Sequence, residues 1–222
     1  IHVHADDRAL VGGGGSGAVI VNALAEKIMG GCFTCLVAVA LALTALFWGF
    51  GEELLWIFGC SEETIVYALP YMRIYSSGSL FVMMALGMNM FVTTQGFATV
   101  SMRTVLIGAV CNIVLDPIFI YGLDMGVEGA ALATVISQAV SGIWVVRFLT
   151  GKKTTLRLRK NTLRPSWRLM APVLALGVSP FVMQSTEALL NVSFNASLQR
   201  YGGDVAVGAM TIASTVMQMV WI

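Results

Sequence analysis

The chain has 222 residues, of which 57% are hydrophobic and only 11% are charged, and its mean hydropathy is +0.82. Soluble domains carry about 25% charged residues, so this chain has too few charges to cover the surface of a soluble globular protein. Its 13 lysines and arginines balance 12 aspartates and glutamates to a net charge of +1, which excludes a strongly basic nucleic-acid-binding protein. The composition indicates a polytopic membrane protein.

The N-terminal stretch, IHVHADDR, is polar and contains both histidines of the chain. His2 and His4 are followed by Asp6 and Asp7, which could bind a metal, but a glycine run comes next and no further partner follows, so we expect no metal site there. The stretch lacks the features of a signal peptide and does not begin with methionine, so we expect a piece of a longer protein. Cys32 and Cys35 form a C-x-x-C inside an apolar run without a second pair, and we interpret them as packing residues.

Apolar runs of about 20 residues, the length that a helix needs to cross a bilayer, recur along the chain. Membrane spans are predicted at 31–50, 66–93, 102–122, 129–149 and 169–199, with a further apolar run at 205–222. A glycine-rich run at 10–25 is too short to be a confident span. Barrel strands would be about 10 residues long with alternating polarity, so the predicted fold class is all-α.

The connections between the spans are short, with one exception. Residues 51–63 are predicted to form an acidic loop with a short interfacial helix at 53–59, and residues 122–129 a glycine-rich turn. We expect Pro70 to break the second span. The only long polar connection is 150–168.

Residues 150–168 concentrate the positive charge of the chain. They contain no acidic residue and seven of the 13 cations, namely Lys152, Lys153, Arg157, Arg159, Lys160, Arg164 and Arg168. The positive-inside rule predicts a cytoplasmic loop, and counting back one crossing per span places 51–63 outside. Because membrane spans flank this basic segment, it is not interpreted as a nucleic-acid-binding patch. A role in binding lipid headgroups remains an alternative.

An acidic residue within a span is costly and is therefore a candidate functional group. Glu187 shares one helical face with Gln184, Asn191 and Asn195, because the spacings are three, four and four. We expect Pro180 to kink the helix towards this face. Such a carboxylate suits Na⁺, H⁺ or a cationic substrate, and a glutamate that packs between helices is the alternative.

Asp116 and Asn112 form a second candidate, because they lie one helical turn apart. Pro117 follows directly, so Asp116 either contributes to a cation site or satisfies backbone groups around the proline. The remaining amides within the spans are interpreted as hydrogen-bonding groups between helices, namely Asn89, Gln95 and Gln138. The chain has no P-loop, G-x-S-x-G, H-E-x-x-H or G-x-G-x-x-G context, so we predict neither an enzyme nor a cofactor.

Four stretches of the chain carry a family pattern when taken together. GAVCNIVLDPIFIYGLDMGVEGAALATVISQ at 108–138 is joined by GCSEETIVYALPYMRIY, NMFVTTQGFATVSM and LGVSPFVMQSTEALL. In the first stretch the matching residues are Asn112, Leu115, Asp116, Pro117, Gly126, Gly129, Ala130, Ala131, Ala133, Thr134 and Gln138. The combination resembles bacterial members of the multidrug and toxic compound extrusion (MATE) family.

This resemblance implies twelve helices in two six-helix lobes, of which residues 22–222 would cover about helix two to helix eight. Residues 1–21 depart from the pattern, 22–149 would belong to the N-terminal lobe, 150–168 would connect the lobes, and 169–222 would begin the second lobe. The implied function is antiport of drugs or organic cations against Na⁺ or H⁺ in the cytoplasmic membrane. The implied partners are these substrates, membrane lipids and the remainder of the transporter chain, with no nucleic acid.

Two alternatives remain at this point. Lipid-linked oligosaccharide flippases share the lobe architecture but would be expected to line their cavity with several cations, and here Arg73 and Arg147 lie within spans, near their ends. A structural subunit without transport activity belongs to another class, and the sequence offers no large extramembrane surface for it.

Overall fold

The computed structural model describes residues 16–164 and 166–221, and this part of the chain is α-helical, as predicted. Its six helices are α1 (Ser16–Ile57), α2 (Glu62–Ser77), α3 (Ser79–Thr94), α4 (Ala98–Pro117), α5 (Gly126–Thr150) and α6 (Trp167–Trp221). A π-helical turn, Ile118–Gly122, follows α4, and a short 3-10 turn, Lys160–Thr162, lies between α5 and α6. His2 and His4 lie outside the described residues.

The helices have the lengths of a multi-pass membrane protein. Four segments are long and apolar enough to cross a bilayer: Val19–Ile57, Ala98–Gly122, Gly126–Thr150 and Trp167–Met217. Helices α2 and α3 are together also long and apolar enough to cross a bilayer, as one span that bends by 52° between them. The described residues therefore provide up to five crossings, and the apolar runs at 169–199 and 205–222 lie within one of them.

Helix α1 is longer at both ends than the sequence pattern predicts. Residues 16–25, expected to be too glycine-rich for a span, are its first turns, because elongating an existing helix costs far less than nucleating one. At the other end the dihedral angles leave the helical region at Phe50 (φ −121°, ψ 20°), and a last helical piece runs on to Ile57. The predicted loop 51–63 thus shrinks to residues 58–61, and the predicted interfacial helix is the end of α1.

The break in the second span lies at Gly78, so the prediction of a break at Pro70 was wrong. Pro70 lies inside α2, which continues to Ser77. Gly78 ends α2, and its N–H donates to both Ile74 O and Tyr75 O. A Cβ at Gly78 would clash with the Val135 side chain of α5, so the close packing of α5 requires glycine here.

Helix α6 joins the two apolar runs that the sequence separates at residues 199–204. Its backbone keeps helical dihedrals through Pro172 and Pro180, and the one interior residue outside the helical region is Gly203 (φ 66°, ψ −170°). The predicted kink at Pro180 is therefore not a break in the helix. The predicted turn is confined to Gly203, where glycine tolerates the positive φ.

The bundle is organised around α5, which packs against α2, α3 and α4. The largest fully buried side chains form one core at an end of the bundle, namely Met29, Met88, Val92, Val145 and Leu149. Of the described helices, α6 packs only against α1. The core therefore belongs to α1, α3 and α5.

The linker between α5 and α6 is folded against this core. Leu156 and Leu158 pack on the buried cluster. The Gln95 side-chain oxygen at the end of α3 accepts hydrogen bonds from Thr154 Oγ1 (2.6 Å) and Leu156 N (2.9 Å). Glu26 of α1 accepts a hydrogen bond from Arg157 N (2.9 Å). Helices α1 and α3 thus hold the linker in one place.

Candidate functional site

The polar face predicted around Glu187 lies on α6, and all four of its side chains are exposed: Gln184, Glu187, Asn191 and Asn195. None of them forms a side-chain hydrogen bond within the described residues. Asn195 lines a cleft of about 360 Å³ between α6 and the loop that joins α1 to α2. Because the four residues follow each other at helical spacing, the same face of α6 leads from this cleft to Glu187.

A hydrogen bond between the α1–α2 loop and α6 lies at the wall of this cleft. Ser61 Oγ donates to Asp204 Oδ2 at 3.0 Å, and a Cβ at Gly59 would lie 2.9 Å from Ala196 Cα. Gly59 has φ +83°, which glycine adopts without strain. The pKa of the Cys60 thiol is raised above its ordinary value, mainly by burial and also by the neighbouring Asp204 carboxylate. A hydrogen bond from the Ser61 backbone N–H lowers this pKa, but by less.

The second predicted pair, Asn112 and Asp116, is joined by a hydrogen bond. Asn112 Nδ2 donates to Asp116 Oδ1 at 3.3 Å, and both side chains are half-buried on α4. Helix α4 ends at Pro117 and gives way to the π-helical turn. The amide thus holds the carboxylate in the last turn of α4. This pair is separate from the Glu187 face, because α4 does not pack against α6 in the described part of the chain.

A cavity of about 250 Å³ with a mixed apolar and polar lining lies between α3, α4 and α5. Its polar lining consists of Asn89, Thr104, Asn112, Thr134, Ser137, Gln138 and Ser141. Ser141 Oγ donates to Thr104 O (3.2 Å), and Thr134 Oγ1 donates to Ala130 O (2.9 Å). The sequence interpretation missed this grouping, because it assigned Asn89 and Gln138 to hydrogen bonds between helices and gave the hydroxyl residues no role in a site.

Two polar atoms beside this cavity are buried without a hydrogen-bond partner among the described residues, Asn89 Oδ1 and Ser137 Oγ. Asn89 Nδ2 donates only a long bond, 3.5 Å, to Ser101 O. Buried polar atoms without partners are costly, and both residues line the cavity. No lysine or arginine lines the cavity within the described part of the chain.

Residues 16–164 and 166–221 contain no group of three or more histidine, cysteine or acidic side chains placed to hold a metal ion. The site chemistry consists instead of single carboxylates beside neutral amides and hydroxyls. Apolar helices of spanning length that carry such groups define a polytopic all-α membrane protein with polar positions inside its spans.

Comparison with known proteins agrees with this class. Residues 23–118 match the MatE family model. The chain is 29% identical over 169 residues to the multidrug export protein MepA of Staphylococcus haemolyticus, covering 76% of this chain and 37% of that protein. MepA of Staphylococcus aureus (strain bovine RF122 / ET3-1) is 25% identical over 192 residues, covering 86% of this chain and 41% of that protein.

Solved structures show the same fold. The MATE multidrug transporter DinF-BH superposes with a TM-score of 0.80 at 29% identity, covering 91% of this chain and 50% of that chain. An inward-facing multidrug resistance MATE family transporter of the MOP superfamily superposes with a TM-score of 0.77 at 22% identity, covering 90% of this chain and 52% of that chain. Residues 23–118 thus carry a MatE domain, and the chain shares its fold with MATE transporters. It spans about two-fifths of the length of these curated relatives.

Proposed function

We propose that the full-length protein carrying this chain exports drugs or organic cations across the cytoplasmic membrane in exchange for Na⁺ or H⁺. It acts as a transporter and not as an enzyme. The matched relatives are multidrug export proteins, and the solved relative DinF-BH is a multidrug transporter. Surrounding lipids and the remainder of the transporter chain are its partners, and residues 150–168 lie on the cytoplasmic side.

The observation that carries the proposal is the polar face of α6. A carboxylate exposed on an apolar helix is costly in hydrocarbon, so it belongs next to water or protein. Asn195, on the same face, lines the cleft towards the α1–α2 loop, which indicates that the Glu187 face borders the space between α6 and the helical bundle. There Glu187 can bind a cation when charged and release it when protonated or paired with substrate.

The neutral cavity between α3, α4 and α5 supports an exporter over a flippase of the same superfamily. A lipid-linked oligosaccharide carries phosphate and would require cations near its path, whereas the polar lining of this cavity is amides and hydroxyls. Neutral oxygen ligands suit Na⁺ and hydrogen-bonding drugs alike. The Asn112–Asp116 pair at its edge is a second candidate for the coupling ion.

The test is Glu187→Gln in the full-length transporter, because this change keeps the side-chain volume and removes the charge. We expect normal expression and insertion, and efflux of a cationic dye reduced to the rate of cells without the transporter. Glu63→Gln is the matched control, since Glu63 is exposed in the first turn of α2 and we expect it to leave efflux unchanged.

Efflux by Glu187→Gln at the wild-type rate under the same ion gradient would show that Glu187 is a packing residue. Coupling would then be sought at Asp116, with Asp116→Asn measured in the same assay. A protein that exports no dye in its wild-type form under either a Na⁺ or an H⁺ gradient would refute the exporter itself.

A further inference from the structure

The linker between α5 and α6 presents its cations on a fixed scaffold. Gln95 and Glu26 bind its backbone, and Leu156 and Leu158 pack on the core. Thr34 Oγ1 of α1 also donates to Leu163 O at 2.6 Å. The path of the linker backbone along the bundle is therefore set by these contacts, and the linker is not a flexible tether.

Two of the linker arginines are engaged within the protein. Arg159 Nε lies 3.6 Å from Glu26 Oε2, the one ion pair among the described residues, and Arg157 Nη2 donates to Lys152 O at 3.2 Å. Four further cations of this segment have exposed side chains, and no described acidic residue pairs with them: Lys152, Lys153, Arg164 and Arg168. This part of the linker carries uncompensated positive charge.

These four cations lie next to the ends of two membrane-spanning helices. Lys152 and Lys153 follow the end of α5 at Thr150, and Arg164 and Arg168 flank the start of α6 at Trp167. A side chain within a few residues of a span end lies at the depth of the lipid headgroups. Trp167 is 76% exposed between the two arginines, as is typical of an indole at the membrane interface.

We propose that Lys152, Lys153, Arg164 and Arg168 form a binding surface for the phosphate groups of anionic phospholipids, with Trp167 inserted at the membrane interface. The proposal rests on the membrane placement given under the proposed function. Arginine pairs with phosphate oxygens through its planar fork, and lysine adds a point charge. A zwitterionic lipid carries its own cation, so the surface prefers a lipid with net negative charge.

The experiment measures which lipid lies beside Trp167. The full-length protein, with Trp167 as its only tryptophan, is reconstituted into nanodiscs of phosphatidylcholine and phosphatidylglycerol. The bromine quencher is carried on one lipid or on the other at equal mole fraction. We expect stronger quenching of Trp167 fluorescence by brominated phosphatidylglycerol, and we expect raised salt to reduce the difference because it screens exposed charges.

Variants locate the preference. R164Q/R168Q and K152Q/K153Q should each reduce the quenching ratio towards one, whereas R73Q/R200Q removes the same charge from exposed arginines elsewhere and should leave it unchanged. Equal quenching by both lipids in the unsubstituted protein would overturn the proposal. So would a ratio that neither salt nor the linker variants change. Quenching requires no transport, so this result is independent of the Glu187 test.

Discussion

Gln95→Ala is predicted to release the linker from the helical bundle. The substitution removes the oxygen that accepts from Thr154 Oγ1 and Leu156 N, and the amide that donates to Phe91 O at 2.9 Å. Thr154 is only 5% exposed but keeps a second acceptor, Leu156 O, at 2.9 Å. The Leu156 N–H is left without its partner. The anchoring of residues 152–158 therefore weakens while the helices keep their own hydrogen bonds.

The size of the effect follows from the bonds that are lost. Two hydrogen bonds join the linker to Gln95, and each contributes about 1 kcal/mol net. The free energy of local opening should therefore fall by about 2 kcal/mol. A change of that size corresponds to roughly 30-fold faster amide exchange, because the exchange rate follows the opening equilibrium when reclosing is faster than chemical exchange. The packing of Leu156 and Leu158 stays in place and sets the protection that remains.

The assay is hydrogen exchange with mass spectrometry on the full-length protein in nanodiscs. Peptides that cover 152–158 should exchange faster in Gln95→Ala, and peptides from the middle of α5 should be unchanged. Gln184→Ala is the matched control, because Gln184 is exposed on α6. If exchange in 152–158 stays at the wild-type rate, the apolar contacts alone hold the linker and the role assigned to Gln95 is refuted.

The remaining predictions concern the two sides of the membrane. With the native cysteines replaced, Lys153→Cys should resist an impermeant thiol reagent applied outside, whereas Glu62→Cys should react. The reverse labelling pattern would contradict a cytoplasmic position of residues 150–168. Asp204→Asn removes a negative charge that raises the pKa of the Cys60 thiol, so the pH midpoint of Cys60 labelling should move to lower pH. Asp124→Asn should leave that midpoint unchanged, and an unshifted midpoint in Asp204→Asn would show that the carboxylate does not act on Cys60.

The membrane-spanning helices could be predicted from sequence because each depends on a local apolar run. Their breaks could be predicted only in part. Pro70 lacks one backbone N–H, which a helix supported by its neighbours tolerates, whereas Gly78 breaks the span where Val135, 57 positions further along the chain, packs against it. Gly203 shows the opposite case, since the glycine pair at 202–203 marks the break in the sequence itself.

The linker shows why charge alone predicted only part of its structure. Seven cations without an acid predicted a polar loop, and that description of its surface agrees with the exposed side chains. Its fold depends on Gln95 and Glu26, which are 61 and 131 positions away from Leu156 and Arg157. Hydrogen bonds over such separations leave no periodic pattern in the sequence, so the linker's attachment to the bundle required the structure.

Of the candidate site, the part that lies on one helix could be predicted from sequence, and the part formed by several helices could not. The face that joins Gln184 to Asn195 is a property of one helix, so its spacing was enough to find it. The cavity between α3, α4 and α5 requires three helices, and its hydroxyls on α5 repeat every three or four residues, a spacing that is equally typical of tight helix packing. What separates a cavity from packing is whether the polar atoms find partners inside the protein. Asn89 Oδ1 and Ser137 Oγ find none among the described residues, which a fully paired helix interface would not leave.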